Sequence, residues 1–395
     1  MEYRKDTQGN SISLLGFGCM RLPQTSPHAT DIDYGLGRAM VEYAYEHGVN
    51  YFDTAYPYHD GKSEVFIGEA LRGYPRASFF LADKMPTWLI RSGDDAKRLF
   101  EEQLQRCQVA YFDAYLCHAI GQSDSDFAKK YEKTGALEYL LRQKEEGRIR
   151  RLGFSFHGTP ERLAAILSRQ DWDFAQIQLN YLDWDLIQSG TLYAMLAERA
   201  IPCLVMEPVR GGSLHTLCEE SIRILQAANP QRSTASWAIR FAASLPHVLT
   251  VLSGMSTLEQ LHDNVATLEN FQPLTPAERQ ILDQVCAAYL ATGAIACTTC
   301  RYCMDCPNGV DIPGVFGAYN RCAASLGLPV FVSLMHHANK NAQAFLAACE
   351  ELPEANRAHN CTACGHCLEH CPQHIDIPEK MQLIAGLYKE LRGRP

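Results

Sequence analysis

Residues 34–55 read YGLGRAMVEYAYEHGVNYFDTA, and a change of rhythm inside this stretch decides the fold. Up to His47, apolar side chains recur at steps of three and four (Leu36, Met40, Val41, Ala44), the period of an amphipathic helix. Gly48 follows, a residue that takes the left-handed conformation of a helix C-cap without a Cβ clash. The next seven residues, VNYFDTA, are apolar with β-branched and aromatic types, which reads as a buried strand.

The alternation continues along the chain. Strands are predicted at SLLGFGCMRL (13–22), VNYFDTA (49–55), SFFLADK (78–84), FDAYLCHA (112–119), IRRLGFS (149–155), FAQIQLN (174–180), IPCLVMEP (201–208) and VLTVLSG (248–254). Between them lie helical patterns such as DDAKRLFEEQLQRCQ (94–108), and Gly147 marks another helix end. Eight strand-then-helix units over about 250 residues are the count and length of an α/β protein of the (β/α)8, or TIM, barrel type. A doubly wound open sheet is the alternative. Ahead of the first strand, YRKDTQGNSISLL reads as a hairpin turning near Gly9-Asn10, placed to plug one end of the barrel.

The chain has 395 residues, too many for one small core. Its composition, 47% hydrophobic and 21% charged, is that of a globular protein. The net charge of −9 and the lack of a Lys/Arg-rich block argue against a nucleic-acid partner. The start, MEYRKDTQGNS, lacks the apolar region of a signal peptide, and no apolar run reaches the roughly 18 residues of a membrane helix. No membrane role and a cytoplasmic location are the expectations. After NFQPLTPAE the pattern changes: a capped helix, LTPAERQILDQVCAAYL, opens a segment that reads as mostly helical, apart from the β-branched run LPVFVSL (328–334). The expected domains are 1–272, the barrel, and 273–395, a small mostly α-helical domain.

That second segment holds two tight cysteine groups. CTTCRYCMDCPNGVDIP (297–313) and CTACGHCLEHCPQHIDIP (361–378) match almost position by position. They bring together Cys297, Cys300, Cys303 and Cys306, then Cys361, Cys364, Cys367 and Cys371. The other eight of the sixteen cysteines are scattered and read as small buried hydrophobes. Cys-x2-Cys-x2-Cys-x3-Cys-Pro, seen in the second copy, is the bacterial-type iron–sulfur run. Its three-residue steps wrap a loop around a cube of iron and sulfide, and its proline turns the chain away. Structural zinc sites use two cysteine pairs separated by a longer loop, so zinc is the lesser reading. The sequence points to two [4Fe-4S] clusters. The first copy is one residue shorter before Cys306, which leaves that ligand the least regular of the eight.

In a barrel of this type, reactive groups sit at the C-terminal ends of the strands. The second strand ends in YFDTAYPYHDG, giving Asp53 and Tyr58; the third in FLADK, giving Lys84; the fourth in YLCHA, giving His118. Each alone has an ordinary explanation: a cap, a rim aromatic, a solvated charge, a core histidine. Together they form a proton-delivery device. An ammonium beside a phenol favours the phenolate, a carboxylate holds the ammonium, and an imidazole orients a substrate oxygen. Tyr58 is then the general acid toward a carbonyl oxygen.

On these residues the chain resembles the aldo-keto reductase family. The resemblance runs from residue 3 to about 270 and includes LGFGCMRLP, the Asp53–Tyr58 spacing in DTAYPY, GRIRRLGFS and SGMSTLEQLHDNV. It implies hydride transfer between NADP or NAD and a small-molecule carbonyl or alcohol, with Asp53, Tyr58, Lys84 and His118 as the catalytic tetrad. Members that reduce the double bond of an enone steroid replace that histidine by glutamate, so His118 favours carbonyl chemistry. By the same resemblance Ser155 and Gln178 face the nicotinamide carboxamide, although Phe156 stands where the family usually has Asn. Arg210, Gly211 and Gly212 face the pyrophosphate, and Gly254, Met255, Gln260 and Asn264 the adenosine end. No Lys or Arg stands at Gly254 or Gln260 to mark a preference for NADP. The tail resembles an α-helical two-cluster ferredoxin domain. That pattern implies Cys297, Cys300, Cys303 and Cys371 on one cluster and Cys361, Cys364, Cys367 and Cys306 on the other. The clusters serve electron exchange with a partner such as a ferredoxin or flavoprotein, or they serve structure. The alternative to a reductase is an iron–sulfur electron-transfer or docking protein with a vestigial barrel.

Overall fold

All eight predicted barrel strands form in the computed structural model, which describes residues 1–26, 28, 30–304, 306–326 and 340–393. A short antiparallel hairpin, β1 (Tyr3–Lys5) and β2 (Ser11–Ser13), precedes them. The barrel strands are β3 (Leu15–Gly18), β4 (Tyr51–Asp53), β5 (Phe80–Met85), β6 (Ala114–Ile120), β7 (Leu152–Phe156), β8 (Phe174–Gln178), β9 (Cys203–Met206) and β10 (Val248–Gly254). Each pairs in parallel with the next, and β10 pairs with β3 to close the ring. Parallel closure brings all the C-terminal strand ends to one rim. In register, Asp53 of β4 lies beside Ala82 of β5, and Lys84 of β5 beside Leu116 of β6.

The helices between the strands follow the sequence rhythm. They are α1 (Tyr34–Glu46), α2 (Lys62–Leu71), α3 (Gly93–Cys107), α4 (Ala136–Glu145), α5 (Pro160–Leu167), α6 (Asp183–Leu186), α7 (Ser189–Glu198), α8 (Glu219–Ala228), α9 (Thr234–Ala243) and α10 (Leu258–Glu269). In α1, Asp33 accepts a hydrogen bond from Leu36 N to satisfy the first turn, and Met40, Val41 and Ala44 are buried. Gly48 takes φ +85° at its end, the left-handed conformation expected of it. α3 begins in a capping box between Ser92 and Asp95.

The hairpin closes the N-terminal mouth of the barrel. Gly9 turns it at φ +83°, and Asp6 holds the turn by accepting from the backbone of Gln8 and Asn10. Ile12 packs with Tyr51, Phe174, Leu204 and Leu249 at the strand starts. Asp6 also pairs with Arg151, both buried. Removing one partner of a buried pair leaves an uncompensated charge, so Asp6→Ala is expected to cost about 3–5 kcal/mol of stability. The urea midpoint with and without the substitution measures this. A change within error would mean that water takes over the role of Asp6.

The chain divides into two compact units: Met1–Pro208 with Ser236–Leu274, and Val209–Ala235 with Thr275–Pro395. The second unit therefore takes in residues 209–235 as well as the helical tail. Within it, α8 packs on α11 (Pro276–Ala291), and Ser221 Oγ donates to Val285 O at 3.0 Å. Among the described residues three further α-helices follow: α12 (Ile312–Leu326), α13 (Lys340–Glu350) and α14 (Ile377–Arg392). Their core includes Val310, Phe316, Tyr319, Phe345, Met381 and Leu387. The internal repeat is visible in the backbone, because α12 and α14 each begin at the Ile-Pro that follows a cysteine group. The run LPVFVSL (328–334) lies outside the described residues. Of the eight scattered cysteines, all are buried except the half-buried Cys286. No helix among the described residues is long and apolar enough to cross a membrane.

Candidate active site and cluster cavities

The barrel rim assembles Asp53, Tyr58, Lys84 and His118. Asp53 ends β4, and Tyr58 opens the kinked segment Tyr58–Gly61 that follows, in which His59 and Asp60 take left-handed backbone. Lys84 and His118 lie near the ends of β5 and β6. Lys84 Nζ is the centre: it donates to Asp53 Oδ1 at 2.5 Å, to Thr54 O at 2.7 Å and to Tyr58 OH at 3.3 Å. Its side chain is only 1% exposed. A buried ammonium with a carboxylate, a carbonyl and a phenol has its three protons placed. The His118 ring stands edge-on to Tyr58, with centroids 6.3 Å apart. Trp88, whose ring centroid lies 5.3 Å from that of His118, is 45% exposed and gives an apolar wall open to solvent.

Burial sets the protonation states. The Tyr58 phenol is pushed well above its usual range by desolvation, with Asp53 and Glu207 adding to the shift. The expectation that Lys84 draws it down is thus reversed, because loss of water and the nearby carboxylates outweigh the ammonium. Desolvation, then Lys84, pushes the His118 imidazole well below its usual range. Asp53 is raised by burial, opposed by Lys84. The site therefore presents a protonated phenol and a neutral imidazole side by side, the right pair to hydrogen-bond a carbonyl oxygen.

Two charged residues of this rim escaped the sequence reading. Arg21, just after β3, and Glu207, just after β9, approach to 3.7 Å. Glu207 takes φ +56°, rare for a residue with a side chain, and its carbonyl accepts from Asn180 Nδ2. The signal was available, since both stand at strand ends like the tetrad.

The residues assigned to a nicotinamide cofactor fall into three groups. Ser155 and Gln178, both buried, end β7 and β8. Ser155 Oγ accepts from Ala119 N, which leaves its own proton to donate, while Gln178 Nε2 donates to Asp183 at 2.6 Å. A hydroxyl and a primary amide at adjacent strand ends suit a carboxamide. Gly254, Met255, Gln260 and Asn264 gather at the β10–α10 turn. Gln260 Oε1 accepts from Ser256 N, and Asn264 Nδ2 donates to Ser253 Oγ. A Cβ at Gly254 would sit 3.3 Å from the methylenes of Arg21. Arg210, Gly211 and Gly212 belong instead to the second compact unit. There Arg210 is wholly buried and donates to Ala296 O at 3.1 Å and to Gln373 Oε1 at 3.4 Å.

The cysteines surround two cavities. One is lined by Cys297, Cys300, Cys303 and Cys371. The other is lined by Cys303, Cys306, Cys361, Cys364 and Cys367. In both copies the loop bends through left-handed residues at matching places: Thr299 and Arg301 in the first, Ala363 and Gly365 in the second. Three of these four carry side chains, and such backbone persists only where something over-determines it. Among the described residues, no three His, Cys, Asp or Glu side chains converge on a single-ion site. Thiols spread around a cavity, rather than at a point, fit a cube of iron and sulfide.

Comparison with known proteins agrees. Residues 14–287 match the aldo/keto reductase family, and residues 296–375 match a 4Fe-4S dicluster domain. L-galactose dehydrogenase of Arabidopsis thaliana is 25% identical over 291 residues, 67% of this chain and 87% of that one. A probable aldo-keto reductase of Glycine max is 32% identical over 157 residues, 38% of this chain; the chain spans only 43% of that relative's length. An aldo-keto reductase from Bacillus halodurans, solved in its holo form, superposes with a TM-score of 0.60 at 27% identity, covering 72% of this chain and 96% of that one. The chain belongs to the aldo/keto reductase family and carries a 4Fe-4S dicluster domain C-terminal to the barrel in sequence.

Proposed function

We propose that the barrel interconverts a carbonyl and an alcohol with NADPH or NADH, Tyr58 acting as general acid in reduction and general base in oxidation. The observation that carries this reading is the Lys84 ammonium held between Asp53 and Tyr58. A bound nicotinamide supplies or accepts the hydride. Ser155 and Gln178 hold its carboxamide, and the Gly254–Asn264 turn its adenosine end. Tyr58 and His118 grip the substrate oxygen, and Tyr58 gives it a proton as the carbonyl carbon is reduced. Lys84 steadies the phenolate left behind, and Asp53 keeps Lys84 in place. Trp88 forms one wall for the substrate. A relative named as an L-galactose dehydrogenase accords with oxidoreductase chemistry. The assembled tetrad weighs against a vestigial barrel.

Steady-state assay of anaerobically purified protein with NADH and NADPH on a panel of aldehydes and ketones tests the reading. Cofactor binding without turnover on any of them would favour the electron-transfer alternative. The pH profile gives a sharper check. Reduction needs Tyr58 protonated and His118 neutral. Because the phenol is raised above its usual value of about 10 and the imidazole lowered below about 6.5, kcat/KM for reduction is expected to stay flat between those limits. A limb inside the window would contradict the assignment.

For the dicluster domain, we propose ligation by Cys297, Cys300, Cys303 and Cys371 on one cluster and by Cys306, Cys361, Cys364 and Cys367 on the other. The grouping of the cavity walls supports it. An EPR change on adding NAD(P)H or a reduced ferredoxin, on the timescale of turnover, identifies the clusters as redox partners; its absence leaves them as staples.

A further inference from the structure

His118 stands where the barrel wall is irregular. Its strand, β6, runs in register with β7 as far as Cys117, opposite Phe154, and resumes at Ile120, opposite Phe156. Three steps on β6 thus answer two on β7, a bulge of one residue at His118 and Ala119. Ala119 takes φ +52°, the left-handed region that a side chain disfavours, so its surroundings must hold it there. A bulge re-aims the side chain beside it, and here that side chain is the imidazole of the tetrad.

The peptide joining His118 to Ala119 is gripped at both ends by buried hydroxyls. Its carbonyl, His118 O, accepts from Thr87 Oγ1. Its N–H, that of Ala119, donates to Ser155 Oγ at 2.8 Å. Ser155 lies between Phe154 and Phe156, directly across from the bulge. Behind Thr87 stands Tyr131, wholly buried, in the turn Ala128–Glu132. Tyr131 OH meets Thr87 Oγ1 at 2.7 Å and Met85 O at 3.4 Å. A threonine has one hydroxyl proton, and Thr87 gives it to His118, so Tyr131 is the donor in the shorter contact. Thr87, Tyr131 and Ser155 are all buried, so water does not replace a bond that one of them loses. Every residue of this chain lies in the first compact unit.

We propose that Thr87 and Tyr131 are positioning residues of the reductase: with Ser155 they fix the His118–Ala119 peptide in its bulged form and so aim the imidazole at the substrate oxygen. The proposal rests on the carbonyl–alcohol reading given above. It makes Ser155 a shared contact, whose oxygen accepts from the bulge while its proton is left for the nicotinamide carboxamide. Thr87 and Tyr131 touch neither cofactor nor substrate in this scheme and act only through His118.

The test compares Thr87→Val, Thr87→Ser and Tyr131→Phe with the unmodified full-length holoprotein. Valine keeps the shape of threonine and removes its proton donor. Expected is a fall in kcat for carbonyl reduction of about 10- to 100-fold in Thr87→Val, the scale of a reacting group misplaced by about 1 Å. Thr87→Ser, which keeps the hydroxyl, should recover most of that loss. Tyr131→Phe should lower kcat about fivefold, the worth of one hydrogen bond. The dissociation constant of NAD(P)H stays unchanged in all three. In a His118→Ala background, Thr87→Val should alter kcat by less than about twofold, because no imidazole remains to be aimed. Where Thr87→Val does not fold, Tyr131→Phe is carried through the same cycle. An equal loss in both backgrounds, or a weakened affinity for NAD(P)H, would overturn the proposal and leave Thr87 a structural residue of the rim. Crystal structures of the unmodified protein and of the variants supply a readout independent of turnover. The 118–119 peptide or the His118 ring is expected to change orientation; if both stay in place, the proposal fails even where kcat has dropped. Absence of turnover in the unmodified protein would instead overturn the reductase reading, and the crystal structures would still decide whether Thr87 sets His118.

Discussion

Tyr58→Phe is expected to lower kcat for carbonyl reduction by about 10²–10⁴-fold, roughly 3–5 kcal/mol of transition-state stabilisation. The substitution removes one oxygen and leaves the ring between Lys84 and His118. Its effect is therefore confined to the proton that Tyr58 donates. The contact of 3.3 Å from Lys84 Nζ is lost, but the bonds to Asp53 Oδ1 and Thr54 O remain, so the ammonium stays satisfied. Because the proton moves only in the transition state, kcat and kcat/KM should fall together while the dissociation constant of NAD(P)H is unchanged. The absorbance of the iron–sulfur domain should also be unchanged. Retention of full activity would remove Tyr58 from the mechanism. A rise in KM alone would make it a binding residue.

The second large effect concerns the cysteines. Cys306→Ser is expected to abolish one cluster, and Cys303→Ser the other, each leaving about half the iron and sulfide. The pairs of substitutions discriminate between groupings. If Cys306 shares a cluster with Cys361, Cys364 and Cys367, then Cys306→Ser combined with Cys361→Ser loses no more iron than either alone. Combined with Cys303→Ser it loses nearly all. If each cysteine run instead holds its own cluster, these two outcomes exchange. Non-additivity of this kind is the signature of groups acting as a unit. The second cavity joins Cys306 to the later run, and Cys371 closes the first, so the crossed pattern is the expected result. Losing either cluster should also lower thermal stability, since buried thiols are then left without the group they surround.

Much of the site was legible because its rules are local. A parallel barrel places its chemistry at strand ends, so Asp53, Lys84 and His118 could be read from where apolar runs stop. Arg21 and Glu207 obey the same rule, yet they were missed: nothing local says that the ends of β3 and β9 face each other, and only their 3.7 Å approach gives them meaning. The protonation of Tyr58 was misjudged for a related reason. A neighbouring lysine is visible in the sequence, but the water withdrawn from the phenol is not, and desolvation decides the direction.

The amino-acid sequence by itself determined the eight strand–helix units, the hairpin ahead of them, the tetrad and the duplicated cysteine groups. These depend on short-range periodicity and spacing, which survive without knowledge of partners. Only the tertiary structure decided that residues 209–235 pack with the helical tail, through α8 on α11. Within that unit Arg210, expected from the glycines beside it to face a pyrophosphate, donates to the backbone of Ala296. Which side chain a charge meets depends on contacts between residues far apart in the chain. Here 86 residues separate Arg210 from Ala296 and 163 separate it from Gln373, and no periodicity spans such a distance.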